Sequence, residues 1–518
     1  MRRVTSRRAM RVPVGVVGVV AVLLAAGCTG GSRQPAPASA PTGCPVASAG
    51  AGDGGWKRVA VLTGAAVEGA ADVTGILAWS ASGPWIAVGA VRDEPATTAS
   101  PTTASSPSTA RAPAAPATTA TTTLGSTSAT AATTPGSTSA TTTSAAAGSS
   151  DAAPLKPAVW TSNDGSTWTR SRVEPVTLDG AVDRLLGVAR EGTLAASVGV
   201  AFSHNEGVAR PSAWASAAGG PWREAVANRE LFGGPAGLGV SDVAAGPLGL
   251  AVFGLRTGAD NRTFVAVWRS GDGRRWLAPL EDPALTSGRA EALGVLGGAV
   301  GRNAIVIGGH VIYVTDPSDG VIWSGVDQGG GRLRWQRVDP GPAGLGGAGA
   351  QEVDRMVAVG SGFVAAGLSG EPGSLRLASW TSPDGAAWRR SAVAGPAGIR
   401  ALNSLASTPD GLLAAGVSGA VAAPPGAPAQ GASGGTPGAG TAGSTTAAGG
   451  LPATACLWRS GDGQAWTAVP LPAALARSGR PLRVLAGQDD TRILLVVQGA
   501  SGAEVWAGVP ADVGKASS

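Results

Sequence analysis

Apolar residues in this chain come in short runs that end at a Gly or at a polar turn, the pattern of strands rather than of long helices. The clearest polar break is Val159-Trp160-Thr161-Ser162-Asn163-Asp164-Gly165-Ser166-Thr167-Trp168, and it returns at residues 267–276, 379–388 and 457–466. Worn copies keep Trp214 and Trp222, or Trp323 and Trp335 around Asp327. Each copy predicts a β-hairpin: a strand ending in Trp-x-Ser, a tight Asp-Gly turn, and a second strand opening on Trp. The Asp carboxylate accepts N–H bonds inside its own turn and the Gly takes a positive φ. Asp164, Asp272, Asp384 and Asp462, with Asp53 in a lone further copy, are therefore read as structural turn residues. Calcium wants about six to eight oxygens; each turn offers fewer, and no metal is expected.

Before each hairpin runs an apolar segment that ends near a Gly, at residues 85–89, 194–199, 250–254, 305–308, 363–367, 412–416 and 493–499. One more short strand precedes each segment, so the chain predicts seven units of four strands, a to d, with the hairpin as c and d. The last unit stops after Glu504-Val505-Trp506, whereas Asp53-Gly54-Gly55-Trp56 has the turn and the second Trp without a first. Together these fragments complete one blade. The predicted fold class is all-β, a single seven-bladed β-propeller over residues 51–510, closed by an N-terminal strand at 56–62 that completes the last blade and removes the open edge.

The hairpins resemble the repeats of the Asp-box β-propellers, also called BNR-repeat or sialidase-like propellers. Their box reads S-x-D-x-G-x-x-W, and here it reads S-x-D-G-x-x-W, shorter between Asp and Gly. The resemblance implies the fold. A sialidase-type enzyme would further need a Tyr nucleophile beside a Glu, an acid/base Asp and an arginine triad. The one Tyr, Tyr313, has no Glu near it in sequence; His204 and His310 stand apart from any Cys or acidic cluster, which speaks against zinc. No P-loop, G-x-S-x-G or H-E-x-x-H occurs. No catalytic residue and no cofactor is assigned.

Arg2, Arg3, Arg7, Arg8 and Arg11 precede an apolar run at 12–24 and then Ala25-Ala26-Gly27-Cys28, an export signal over residues 1–27 rather than a membrane span. Small residues before a Cys resemble the lipobox of bacterial lipoproteins, which implies cleavage before Cys28 and lipidation of its thiol. Ser6-Arg7-Arg8-Ala9-Met10 reads either as a twin-arginine signal or as an ordinary basic segment. Removing residues 1–27 removes five Arg and no acid, which takes the formal charge from +5 to zero, so nucleic acid is not an expected partner. Arg far outnumbers Lys beside an excess of Ala and Gly, which points to a GC-rich bacterial genome such as an actinobacterial one.

Residues 28–50 read as a flexible tether and 511–518 as a C-terminal tail. In an exported protein Cys44 and Cys456 are either a disulfide or two unpaired thiols. Low-complexity inserts at about 94–155 and 420–453, both between strands b and c, predict disorder; the Thr-rich first insert resembles an O-glycosylated stalk and reads equally as an unmodified loop. Because the chain enters the ring at the start of a d strand, the tether is expected to leave from the face of the Asp-Gly turns, opposite the inserts.

Counting back from strand b places a charge at the entrance of every strand a: Asp72, Asp183, Asp242, Glu291, Asp354, Arg400 and Arg483. These seven are read either as a ligand-binding ring at the mouth of the channel or as caps of their own strands. The resulting expectation is a lipid-anchored, non-enzymatic propeller on the outer face of the cytoplasmic membrane, a binding or assembly platform for an envelope protein or glycan. The alternatives are a glycan-active hydrolase or lyase of sialidase-like architecture, or a sugar-binding lectin.

Overall fold

A computed structural model describes residues 44–47, 55–62, 71–77, 84–92, 155–174, 182–203, 208–225, 229–232, 236–313, 318–391, 395–419, 453–476, 483–499 and 502–509. All of them belong to one compact unit, Pro41–Ser518. The signal segment, Cys28, Asp53, nearly all of both inserts and the C-terminal tail lie outside the described residues.

Alternation of apolar and polar positions makes strands, and adjacent strands pair antiparallel into seven sheets, the blades of a β-propeller. Their innermost strands, a, are Ala71–Leu77, Val182–Glu191, Gly237–Gly246, Glu291–Val300, Ala350–Val359, Ile399–Thr408 and Arg483–Gln488, in blades one to seven. Blade seven takes its outermost strand from the N-terminal side: Lys57–Leu62 pairs antiparallel with Gly502–Gly508, Arg58 opposite Trp506 and Leu62 opposite Ala503. Two blades depart from four simple strands. Among the described residues blade three has three strands, its strand d reduced to a bridge between Arg269 and Leu277. Pro279 and Pro283, which lack the N–H a ladder needs, follow that bridge. In blade two the outer strand Trp222–Glu224 accepts a further parallel strand, Val173–Glu174, from the connection that leaves blade one.

The core lies between blades, and the hairpin tryptophans build it. Trp160 packs with Leu485, Leu494 and Val496 of blade seven, Trp268 with Ala196, Val198 and Ala213 of blade two, and Trp458 with Val364, Ala366 and Leu368 of blade five. In every case the tryptophan of one blade fills the gap to the blade before it. Truncating such a fully buried side chain costs about 3–5 kcal/mol.

Cys44 and Cys456 are disulfide-bonded, with Cα atoms 5.6 Å apart. Cys44 N–H also donates to Ser418 Oγ at 3.3 Å, and Val46 bridges Leu471. Residues 44–47 of the expected tether are thus bound to blade six, at the end where strand b stops at Ser418 and strand c starts at Thr454. This corrects the expected exit. Residues 44–47 are held at the insert face by the disulfide and the bridge to Leu471, whereas Trp56, at the start of strand d, stands at the turn face.

Candidate functional site

The Asp-Gly turns spend their polar atoms on themselves. Asp384 Oδ1 accepts the N–H groups of Ala386 at 2.8 Å and Ala387 at 2.9 Å, and Trp388 Nε1 donates to Gly385 O at 2.8 Å. Asp164, Asp272 and Asp462 repeat the arrangement. Backbone N–H donors hold all four carboxyls below the ordinary carboxylate range.

The inner strands carry a different device. In blades one to six, strand a contains a β-bulge against strand b, whose extra residue is Thr74, Leu186, Ser241, Leu296, Asp354 or Asn403; blades three and six have a second shift nearer the strand start, at Leu238 and Arg400. A bulge interrupts the ladder and exposes backbone polar groups at the channel, and the neighbouring blade satisfies them. Thr74 Oγ1 donates to Leu185 O of blade two at 2.5 Å. Arg355 reaches both ways, Nη1 to Leu296 O of blade four at 2.8 Å and Nε to Asn403 O of blade six at 2.9 Å. Asn403 Oδ1 accepts Val484 N–H of blade seven at 3.0 Å, and Arg483 Nη1 donates to Val73 O of blade one at 3.2 Å. The result is a polar girdle at mid-channel.

Above the girdle, toward the ends of strands a, lies a cavity of about 510 Å³ lined by all seven blades. Its mouth includes Pro409, Asp489 and Asp490, in connections between strands a and b, so it opens on the face of the Asp-Gly turns. Asp242 and Arg355 line it at girdle level. The Asp242 carboxyl fits there because its neighbours are glycines: a Cβ on Gly187 would stand 3.1 Å from Oδ1, and one on Gly297 3.3 Å from Oδ2. Oδ2 accepts Gly298 N–H at 3.4 Å. Burial pushes this carboxyl up from its ordinary range, and the positive charge of Arg355 opposes the shift. Behind Arg355 sits Asp354, 7% exposed, with Oδ2 unpartnered. Burial first, then the nearby Glu352 charge, push its carboxyl up to about 7, with Arg355 opposing. His310, across from Glu352, is held below the ordinary imidazole range by burial.

The seven charges read from the sequence therefore form no single ring. Asp354 is the bulge residue of its blade, Asp242 follows one and Arg400 is the extra residue of a second shift at its strand start, whereas Asp72, Asp183 and Glu291 stand two, three and five residues before theirs. Glu291 is at the far strand end, ion-paired with Arg337 at 3.0 Å, and Arg400 is exposed. Counting back from strand b failed because the bulge inserts a residue and the strands start at different depths. Arg355 was missed; its signal was a basic residue directly after Asp354 in a strand whose other polar residues, Gln351 and Glu352, lie near its start.

No protein-family model matches the chain, and no curated protein does. Among solved structures it is similar to Hadza microbial sialidase Hz136, at 14% identity over 70% of this chain and 74% of that one, with a TM-score of 0.40. It is similar to the phage phi92 endosialidase at 8% identity over 88% and 68%, TM-score 0.40, and to a glycoside hydrolase of the GH130 family of mannoside phosphorylases at 10% over 72% and 100%, TM-score 0.30. The expected non-enzymatic platform is corrected at this point: the neighbours carry the names of glycan-active enzymes, and the channel holds a carboxyl displaced toward its acid form.

Proposed function

We propose that this chain is a glycan-active enzyme, a hydrolase or lyase, working in the cavity of the central channel. Asp242 carries the reading: a carboxyl on the cavity floor that burial moves toward its acid form. A glycosidic oxygen departs readily only when it is protonated, and an acid with a raised pKa is the group that supplies that proton near neutral pH. Glycoside hydrolysis also uses a second carboxylate; the same cavity has Asp489 and Asp490 at its mouth. Its volume falls within the range of small-ligand sites, about 300–1,000 Å³. The test is product release from a panel of oligosaccharides and polysaccharides. Asp242→Asn should lose at least about 10²-fold in kcat, the usual contribution of a general acid, with its melting temperature kept. Undiminished turnover by that variant would remove Asp242 from the reaction.

The finer assignments join this reading as proposals. The hairpins are Asp-boxes, the chain is exported, and a lipid on Cys28 moors it to the outer face of the membrane. With residues 44–47 held at the insert face, the cavity mouth then points away from the mooring. A lipid-modified Cys28 at the mature N-terminus, sought by mass spectrometry of the membrane fraction, checks the anchor; an intact N-terminus in that fraction refutes it.

A further inference from the structure

We infer that the cavity selects neutral or amino-bearing sugars and turns away carboxylated ones, an inference that rests on the channel being the site of glycan chemistry. Among the described residues of the lining, Arg355 is the one cation. Its donors are committed to backbone: Nε to Asn403 O at 2.9 Å, and Nη1 to both Leu296 O and Asp354 O at 2.8 Å. A guanidinium grips a carboxylate through two N–H groups along one edge. Each edge of this guanidinium includes Nε or Nη1, so no two-pronged grip is left for a substrate carboxylate.

Of the three acids of the lining, Asp242 is held toward its neutral form and Asp489 is paired with Arg492 at 3.9 Å, which leaves exposed Asp490 at the mouth as the carboxylate an entering group meets. Two further arginines on the same face already have acidic partners: Arg492 has Asp489, with its Nη1 on Asp164 O, and Arg459 has Asp410 at 3.4 Å. A carboxylated sugar entering this cavity would meet the Asp490 carboxylate and find no guanidinium edge open to it, which adds repulsion to a missing contact. A neutral sugar instead meets the Ser241 and Ser407 hydroxyls and the Asn403 amide N–H groups, whereas the Thr74, Ser404 and Thr408 hydroxyls already bond to backbone. An amino group gains from the same Asp490 carboxylate that repels an acid.

The experiment uses the full chain and the oligosaccharide it turns over best, beside the same oligosaccharide oxidised to the uronate at C6 and its 2-amino counterpart. Binding is read by calorimetry and turnover as kcat/KM, at low and at high salt. The parent and amino sugars should be bound and the uronate at least about tenfold less well, with the gap narrowing at high salt and in Asp490→Asn. A uronate bound as well as the parent overturns the selectivity while leaving the channel chemistry standing. A gap indifferent to salt assigns the discrimination to shape and also overturns it. If no oligosaccharide is turned over or bound, the reading of the channel as a glycan site falls, and this inference with it.

Discussion

At the scale of single residues, opposite electrostatics are stored at the two ends of this fold. Asp354 is buried with an unpartnered oxygen and a pKa pushed up to about 7, against an ordinary value of 3.8. Its folded pKa is raised, so its contribution to stability is fully present below about 3.8 and is lost as pH climbs through about 7. At about 1.4 kcal/mol per pKa unit the loss is on the order of 4 kcal/mol. The turn carboxyls run the other way: their pKa values are depressed, so their contribution is present above the ordinary carboxylate range and is lost on acidification. Asp354→Asn should therefore flatten the decline in stability between pH 4 and pH 8, leaving the variant more stable than the parent at pH 8. Denaturant unfolding at the two pH values checks this; an unchanged slope would place the titrating group elsewhere.

The hairpin is the element that joins blades, and it does so with few atoms. Gly385 adopts φ +82°, and a Cβ there would stand 3.0 Å from Val306 of the preceding blade; Gly463 and Val364 repeat the relation at 2.7 Å. The Asp, the Gly and the second Trp thus shape a turn that seats on its neighbour. Asp384→Ala is expected to cost about 2 kcal/mol, the scale of hydrogen bonds to a charged group, and Asp384→Asn less than half of that, because an amide oxygen still accepts both N–H groups. Equal losses in thermal unfolding would contradict the turn account. This element was legible in the sequence because its chemistry is local: Ser, Asp, Gly and Trp act on one another within a few residues. The bulges were not. They need only backbone, so Thr74, Leu186, Ser241, Leu296, Asp354 and Asn403 share no side-chain pattern. The charges of strand a were consequently assigned to one level although they lie at several, and Arg355, which bonds to three blades, went unnoticed.

For the whole molecule, closure and access are set by the same N-terminal segment. Residues 44–47 bind blade six through the disulfide, and Lys57–Leu62 completes blade seven, so this segment fastens two neighbouring blades at the seam of the ring. Seven inner strands converge on the polar girdle and leave the cavity above it open toward the turns. The seven blades and their closure followed from counting repeats. The position of the cavity did not, since it depends on which carbonyls the bulges turn inward and which neighbouring side chains reach them. That cavity as the seat of glycan chemistry is the central claim, and filling it tests the claim most directly. Ala406 lines it on blade six and is partly exposed, without taking part in the hydrogen bonds of the girdle. In Ala406→Trp, oligosaccharide turnover should fall at least about tenfold, with the melting temperature within a few degrees of the parent. Full turnover in a folded Ala406→Trp protein would contradict the account, because the reaction would then be taking place elsewhere.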